Sequence, residues 1–315
     1  MMTENKKSTR DAFIDGLLSV GEGNKKIVTV AADSQSRYGS FVNLYRERSF
    51  NVGIAEQSMI GIAAGLALAG KIPVVTSYAN FLTFRACEQI RVDIAGQNLN
   101  VKIVGTDTGF SSEWLGYTHM ALEDVASIRS IPNVVIIDPA DYNEAFAATR
   151  AAFEYKGPVY LRLRGRKKEN LVYDRIQDFQ IGRGNVLRKG KDAVVISSGG
   201  AVYDSLKAVD LLRQNGINAA LIDMASIRPL DDELILNFVS KIKTVVTVED
   251  HNIVGGLGSA VAELLSENTR DTTLLRLGVK DSFGTAGTDE MLKKKFMLDT
   301  DGIASGIRSF IENHR

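Results

Sequence analysis

Cysteine is almost missing from this chain. Cys87 is the only one in 315 residues, so no internal disulfide framework exists. Histidine is scarce as well, with three, which argues against a Cys/His metal cage. Five prolines and no low-complexity stretch leave little room for disordered linkers. Neither charge sign is in excess: 38 basic residues face 38 acidic ones. Nothing in that balance asks for nucleic acid or an anionic membrane as partner. The longest apolar run, Ile60 to Ala69, is too short to span a bilayer. The opening residues are polar and lack the apolar core of a secretory signal. The expectation is a cytoplasmic protein with no membrane or nucleic-acid partner.

What remains is ordinary globular material: 44% hydrophobic and 24% charged residues. The length fits two domains. Short β-branched runs, apolar on both faces, occupy 26–32, 72–77, 100–106, 133–138 and 158–163. That is the pattern of buried parallel strands. Helix-like stretches lie between them: 55–70, 81–96, 120–130 and 141–155. Gly70 and Gly96 are the expected C-terminal caps of the first two, and Asp141 is the expected N-cap of the last. After a polar stretch at 166–191 the alternation restarts, with strand-like runs at 193–198, 217–223, 244–250 and 272–277. The expected fold is α/β, two open and mostly parallel sheets, with domains at 1–180 and 181–315. Ligands of such sheets sit beyond the carboxyl ends of the strands. The loops to inspect are therefore 33–37, 78–84, 107–119 and 164–166.

Three segments there could carry chemistry. In NVGIAEQSMIGIAAGLALAG (51–70), Glu56 opens an otherwise apolar helix. It either helps cap the first turn, where the helix dipole favours acids, or points a carboxyl into a dry cleft suited to proton exchange. In SYANFLTFRACEQ (77–89), Phe81 and Phe84 are three apart and should share a helix face. They are either core or an aromatic shelf for a flat ring. GTDTGFSSEWLGYTHMALED (105–124) has three glycines, the only tryptophan, and His119 near its end. It reads as a surface loop or as an active-site lid carrying an acid/base group. His251 reads as a structural histidine, and GGLGSAV (255–261) as a tight packing turn rather than a phosphate loop.

Together these segments resemble the transketolase family. The carriers are NVGIAEQ followed by GIAAGLALAG, FLTFRACEQIR, THMALED, RPLD (228–231), VEDHNIVGGLGSAVAE (248–263) and DSFGTAGT (281–288). The resemblance covers essentially the whole chain and points to the C-terminal half: a pyrimidine-binding domain and a smaller C-terminal domain. It is especially similar to the second subunit of split transketolases. The resemblance implies thiamine diphosphate as cofactor and transfer of a two-carbon ketol unit. It implies Glu56 as the carboxyl at the ring nitrogen of the aminopyrimidine, and His119 as a proton-transfer group near the reacting carbon. Phe81 and Phe84 would stack the pyrimidine, with Cys87 beside them where many relatives carry a larger aromatic residue. Asp33 would lie close to the cofactor.

In this family a separate domain with a GDG triplet holds the diphosphate and its divalent metal, Mg2+ or Ca2+. No GDG occurs here; TDG (300–302) stands in the wrong context. The resemblance therefore implies an N-terminal transketolase subunit as partner, an active site between chains, and an α2β2 assembly.

The loop before His119 departs from the family. Relatives read GEDGATHQ or GEDGPTHQ; this chain reads SEWLGYTHM. Leu115 replaces an aspartate that touches sugar hydroxyls, Met120 replaces a glutamine, and Asp107 stands where a substrate-contacting histidine is usual. Losing such partners changes specificity by large factors. The expected substrate is a modified, deoxygenated or anionic sugar, with Arg37 and one of Arg164 or Arg166 as candidates for its phosphate or sulfonate. Competing readings are a deoxyxylulose-phosphate-synthase-like enzyme, the β subunit of a 2-oxoacid dehydrogenase E1, and a non-catalytic scaffold of the same fold.

Overall fold

The structure is a computed structural model. It describes residues 7–165, 167, 169–175 and 178–314. Arg166, one of the anion-binding candidates, lies outside the described residues.

The first half builds β1 (Ile27–Ala31), β2 (Ser49–Asn51), β3 (Ile72–Tyr78), β4 (Lys102–Thr106), β5 (Val135–Ile137) and β6 (Val159–Arg162). The second half builds β7 (Asn185–Arg188), β8 (Ala193–Ser197), β9 (Ala219–Asp223), β10 (Ser226–Arg228), β11 (Thr244–Asn252) and β12 (Thr273–Val279). Among the described residues the first sheet runs β10-β5-β6-β4-β3-β1-β2 and the second β12-β11-β8-β9-β7. Pairing is parallel throughout except at one edge of each sheet, where β10 meets β5 and β7 meets β9 antiparallel.

Period-two alternation along the strands explains why both faces of the first sheet are covered. Val30, Val75, Ile103 and Tyr160 pack to one side, with Met59, Ile60, Ala63 and Ala64 of helix Glu56–Leu68. Ala31, Val74, Val104 and Leu161 pack to the other, with Phe13, Leu17, Ala145 and Ala148 of helices Thr9–Gly21 and Tyr142–Glu154. The second sheet is sandwiched in the same way by two further clusters. A two-sided core requires strands without a polar face, which is what the sequence offers.

Four local features differ from or extend the sequence reading. The short edge strands β2, β7 and β10 are too brief to stand out by pattern. β10 lies well past residue 180 yet completes the first sheet, so the two halves interlock there. Gly70 does take the left-handed conformation of a helix end (φ 81), but Gly96 stays helical (φ −59), and Asn98 (φ 50) makes that turn instead. Asn tolerates that conformation because its short side chain can bond locally. Finally, 81–96 is not one regular α-helix. Ala86 N–H reaches back five residues to Phe81 O (3.3 Å), and Gly96 N–H to Arg91 O (2.9 Å). These wide π-type turns are rare and cluster at functional sites.

The two halves are joined around Arg162, at the end of β6 and 1% exposed. Its guanidinium reaches Asp124 (3.0 Å), Asp138 (3.1 Å) and Asp250 of β11 (2.6 Å). It also donates to the carbonyls of Ala121 and Asp250, both at 3.2 Å. Three carboxylates around one cation exceed its charge. Burial pushes Asp138 up to about 7, against the pull of Arg162.

Candidate active site

Glu56 is the first residue of its helix and is 2% exposed. It does not cap: no side chain hydrogen-bonds the free amides of that turn. Its carboxylate faces the carboxyl end of the sheet instead. Ser77 of β3 donates its hydroxyl to Oε1 at 3.0 Å, and Arg85 donates Nη1 to Oε2 at 2.7 Å. Its side chain is thus paired with Ser77 and Arg85 and not with the amides of its own first turn.

Arg85 links Glu56 to an aromatic run. Its guanidinium lies 4.2 Å from the centroid of Phe81. The Phe81 ring is 5.1 Å from His119 and 5.4 Å from Tyr78, both edge-on. Tyr78 and His119 meet at 4.9 Å, nearly perpendicular. Arg37 then stacks on Tyr78 at 4.2 Å. The series Glu56–Arg85–Phe81–His119–Tyr78–Arg37 is thus continuous through ion pair, cation–π and edge contacts, each favourable for these ring faces. Tyr78 ends β3, Phe81 and Arg85 lie in the turn after it, Arg37 follows β1 and Glu56 opens the helix before β3, all at the carboxyl end where such sheets place ligands.

His119 is half-buried at the end of the 107–119 loop. Its Nδ1 pairs with the Thr118 hydroxyl at 2.9 Å. Asn80 anchors the same loop by donating to Thr118 O at 2.8 Å. Gly116 (φ 64) lets the loop turn back toward His119. Trp114, Leu115 and Tyr117 are exposed at 69%, 49% and 60%. Large apolar side chains left in water mark a surface that awaits a partner or ligand.

Phe84 goes elsewhere. Because the turn is wider than an α-helix, the three-residue spacing does not put it on the Phe81 face. It is 54% exposed and lines a neighbouring cavity of about 520 Å³ with Tyr117, Met120, Asn252 and Phe283. The expectation of a shared face is corrected. Cys87 is half-buried against the first core, and burial raises its thiol pKa.

The remaining sequence candidates fall into separate places. Asp107 (φ 61) and Asp33 (φ 71) both hold left-handed backbone, costly for a non-glycine residue and concentrated at functional sites. Asp33 is exposed, and its carbonyl accepts from Asn51 at 2.7 Å. Asp107 pairs with Arg37 at 2.6 Å; Arg37 also donates to the Thr106 hydroxyl, and its side chain is only 6% exposed. Its charge is already matched. Arg164 turns its side chain elsewhere: it pairs with Asp289 at 2.9 Å beside a second, polar cavity of about 280 Å³ with Tyr203 and Lys293.

Sequence reasoning missed Tyr78, Ser77, Arg85 and Arg162. Arg162 had a signal: an arginine inside the apolar run PVYLRL must find buried partners. The structural reading of His251 agrees with the geometry. It is 2% exposed, its Nδ1 bonds Asn252 O at 2.6 Å, and burial lowers its pKa. The amides that open helix Leu257–Asn268 are taken by Glu249, whose two oxygens accept from Leu257 N (2.8 Å) and Gly258 N (2.9 Å). Those two amides are therefore not free for a phosphate.

Comparison with known proteins supplies the remaining findings. The profile of the transketolase pyrimidine binding domain matches residues 5–169, and that of the transketolase C-terminal domain matches 182–303. A provisionally named transketolase C-terminal section of Methanocaldococcus jannaschii is 42% identical over 306 residues, 96% of this chain and 95% of that one. A 6-deoxy-6-sulfo-D-fructose transketolase subunit of Clostridium sp. (strain MSTE9) is 37% identical over 96% of this chain and 94% of that one. The structure of a split gene transketolase, described as an inactive beta4 tetramer, aligns with a TM-score of 0.88 at 38% identity, covering 99% of this chain and 100% of that one.

Proposed function

The chain belongs to the transketolase family, and on that premise we propose that it is the pyrimidine-binding subunit of a thiamine diphosphate-dependent enzyme that transfers a two-carbon ketol unit between sugars. The observation that carries this reading is Glu56. It is a buried carboxylate that leaves its own helix uncapped, is oriented by Ser77 and Arg85, and is joined through Phe81 to His119.

These residues fit the pyrimidine end of the cofactor. Bound here, the cofactor would supply the nucleophilic carbon that no side chain offers. Glu56 would hold and return a proton at the ring nitrogen, with Ser77 fixing the carboxylate plane. Phe81 would present a ring face, and Phe84 would close the site from its neighbouring cavity. Asp33 lies at the exposed rim and Cys87 under the shelf. His119, half-buried and fixed by Thr118, would move a proton at the substrate oxygen.

The diphosphate end is not catered for in the same way. Among the described residues no group of three or more His, Cys, Asp or Glu side chains comes together to hold a metal. Glu249 already occupies the amides of Leu257 and Gly258 in the glycine turn. Mg2+ or Ca2+ and the diphosphate would be held by a partner N-terminal transketolase subunit, within an α2β2 assembly. The outer face of helix Glu56–Leu68 supports association. Ile62 and Leu68 are 43% and 65% exposed there, and Gly61 and Gly65 have open space above them. That face would be apolar and bare in an isolated chain.

The substrate would be a modified, deoxygenated or anionic sugar. Leu115 and Trp114 bring apolar surface where polar contacts to hydroxyls are expected, and one relative acts on a sulfonated sugar by name. Of the two described anion-binding candidates, Arg37 and Arg164, Arg37 is the one in the aromatic run. It would meet a phosphate or sulfonate by exchanging Asp107.

Reconstitution tests the reading. The chain mixed with a GDG-bearing partner, thiamine diphosphate and Mg2+ should form ketol-transfer products from a ketose donor without releasing carbon dioxide. Carbon dioxide from pyruvate would favour the deoxyxylulose-phosphate-synthase-like or 2-oxoacid dehydrogenase alternatives. No cofactor binding by the mixture would leave the scaffold reading.

A further inference from the structure

The ring face of Phe81 and the carboxylate of Glu56 share a third party. Arg85 covers Phe81 at 4.2 Å and contacts Glu56 at 2.7 Å. Its own side chain is 44% exposed, whereas Glu56 is 2% exposed. Ser77 is the other donor to Glu56, on the opposite oxygen. One half-solvated cation therefore occupies both surfaces that a flat ring with a basic nitrogen would need.

We propose that Arg85 is a displaceable stand-in for the cofactor's aminopyrimidine, neutralising Glu56 and covering Phe81 in the unloaded chain and swinging to solvent when the ring enters. The proposal rests on the function argued above. Its physical basis is the cost of a buried charge. A carboxylate as buried as Glu56 is expensive without a partner. Arg85 removes that cost before the ring arrives. Its exposed flank gives it an escape route, because an arginine keeps its charge in water without penalty. The wide π-type turn at 81–86, closed by Ala86 N–H to Phe81 O, sets Arg85 over the Phe81 ring.

A stand-in makes cofactor binding an exchange rather than a simple addition. Part of the binding energy goes into separating Arg85 from Glu56 and from Phe81. Removing Arg85 should therefore tighten cofactor binding while weakening the unloaded chain. A residue that merely supports the fold would weaken both.

The test uses Arg85→Gln, with Arg85→Lys as the variant that keeps the charge and loses the planar stacking group. Calorimetry of the subunit mixed with its partner, titrated with thiamine diphosphate and Mg2+, should show Arg85→Gln binding about two- to fivefold more tightly than wild type, the scale of a half-exposed ion pair. Arg85→Lys should fall between them. The difference between wild type and Arg85→Gln should shrink as salt rises, because salt weakens the ion pair that only wild type must break. Thermal unfolding of the unloaded chain should give a lower midpoint for Arg85→Gln. Weaker or unchanged cofactor binding by Arg85→Gln overturns the stand-in role and leaves the enzyme reading intact. Absence of cofactor binding by wild type and both variants overturns the two together.

Discussion

Arg162 of the first sheet meets Asp250 of the second at 2.6 Å, with neither side chain more than 4% exposed. This contact fixes how the halves sit, because Asp124 and Asp138 converge on the same guanidinium. Removing one partner of a buried charge pair leaves the other uncompensated. Arg162→Met should lower unfolding stability by about 3–5 kcal/mol, read from urea midpoints. A loss below about 1 kcal/mol, the level of a surface pair, would show that the cluster does not hold the halves together.

A second buried junction predicts a pH dependence. Glu144 accepts from Ala140 N at 2.7 Å and Asp223 accepts from the Tyr173 hydroxyl at 2.7 Å. Oε1 of Glu144 and Oδ1 of Asp223 have no donor of their own. Burial raises both carboxyls, Asp223 to about 7 and Glu144 well above its usual value, which favours their protonated forms. The folded state then binds more protons than the unfolded one. The stability from this pair is full below the ordinary carboxylate range and is lost as pH rises through about 7. Glu144→Gln carries a permanent donor. Its stability relative to wild type should grow between about pH 5.5 and about pH 8.5. A constant difference across that range in denaturant midpoints would refute the protonated forms.

Glu56→Gln tests the proton role directly. The amide is isosteric and can still accept from Ser77, so subunit assembly should persist. Turnover of the reconstituted enzyme should fall by about a hundredfold or more, the usual range for a lost proton-transfer group. Turnover near wild type at saturating cofactor would mean that another carboxylate does this work.

The isolated chain should be inactive and gain ketol transfer only with its partner. Activity should rise with added partner and saturate at one partner per chain, measured by titration at fixed cofactor. Robust turnover by the purified chain alone would sink the split-site reading.

Leu115 offers a specificity test. Leu115→Asp restores a hydrogen-bonding group in the 107–119 loop and should move preference toward ordinary hydroxylated sugar phosphates. The kcat/KM ratio between such a substrate and a deoxy or sulfonated one should shift about tenfold or more, since buried polar groups discriminate strongly. An unchanged ratio would place the specificity contact elsewhere.

Much of the site's raw material is legible in the sequence. Glu56 at the head of an apolar helix, a glycine-bearing loop ending in His119, and strand ends as the place to look all follow from local pattern. Arg37 and Asp107 also stand out by position, but nothing in the sequence makes them partners of each other. Phe81 and Phe84 are paired by a spacing that holds for α-helices and fails in the wider turn found here. Phe81 packs instead against Tyr78 and His119, contacts that local spacing does not carry.

The apolar strands and their two-sided burial are thus matters of sequence alone, because side-chain alternation and β-branching act over a few neighbouring residues. So is the presence of a carboxylate at the start of helix Glu56–Leu68. The tertiary structure decided what that carboxylate touches. Arg85 is 29 residues away in sequence and Ser77 is 21, and Arg162 joins Asp124, Asp138 and Asp250 across both sheets. Buried charges choose partners by proximity in the folded core, where an unpaired charge is costly, and that proximity exists only once the strands have been ordered into sheets.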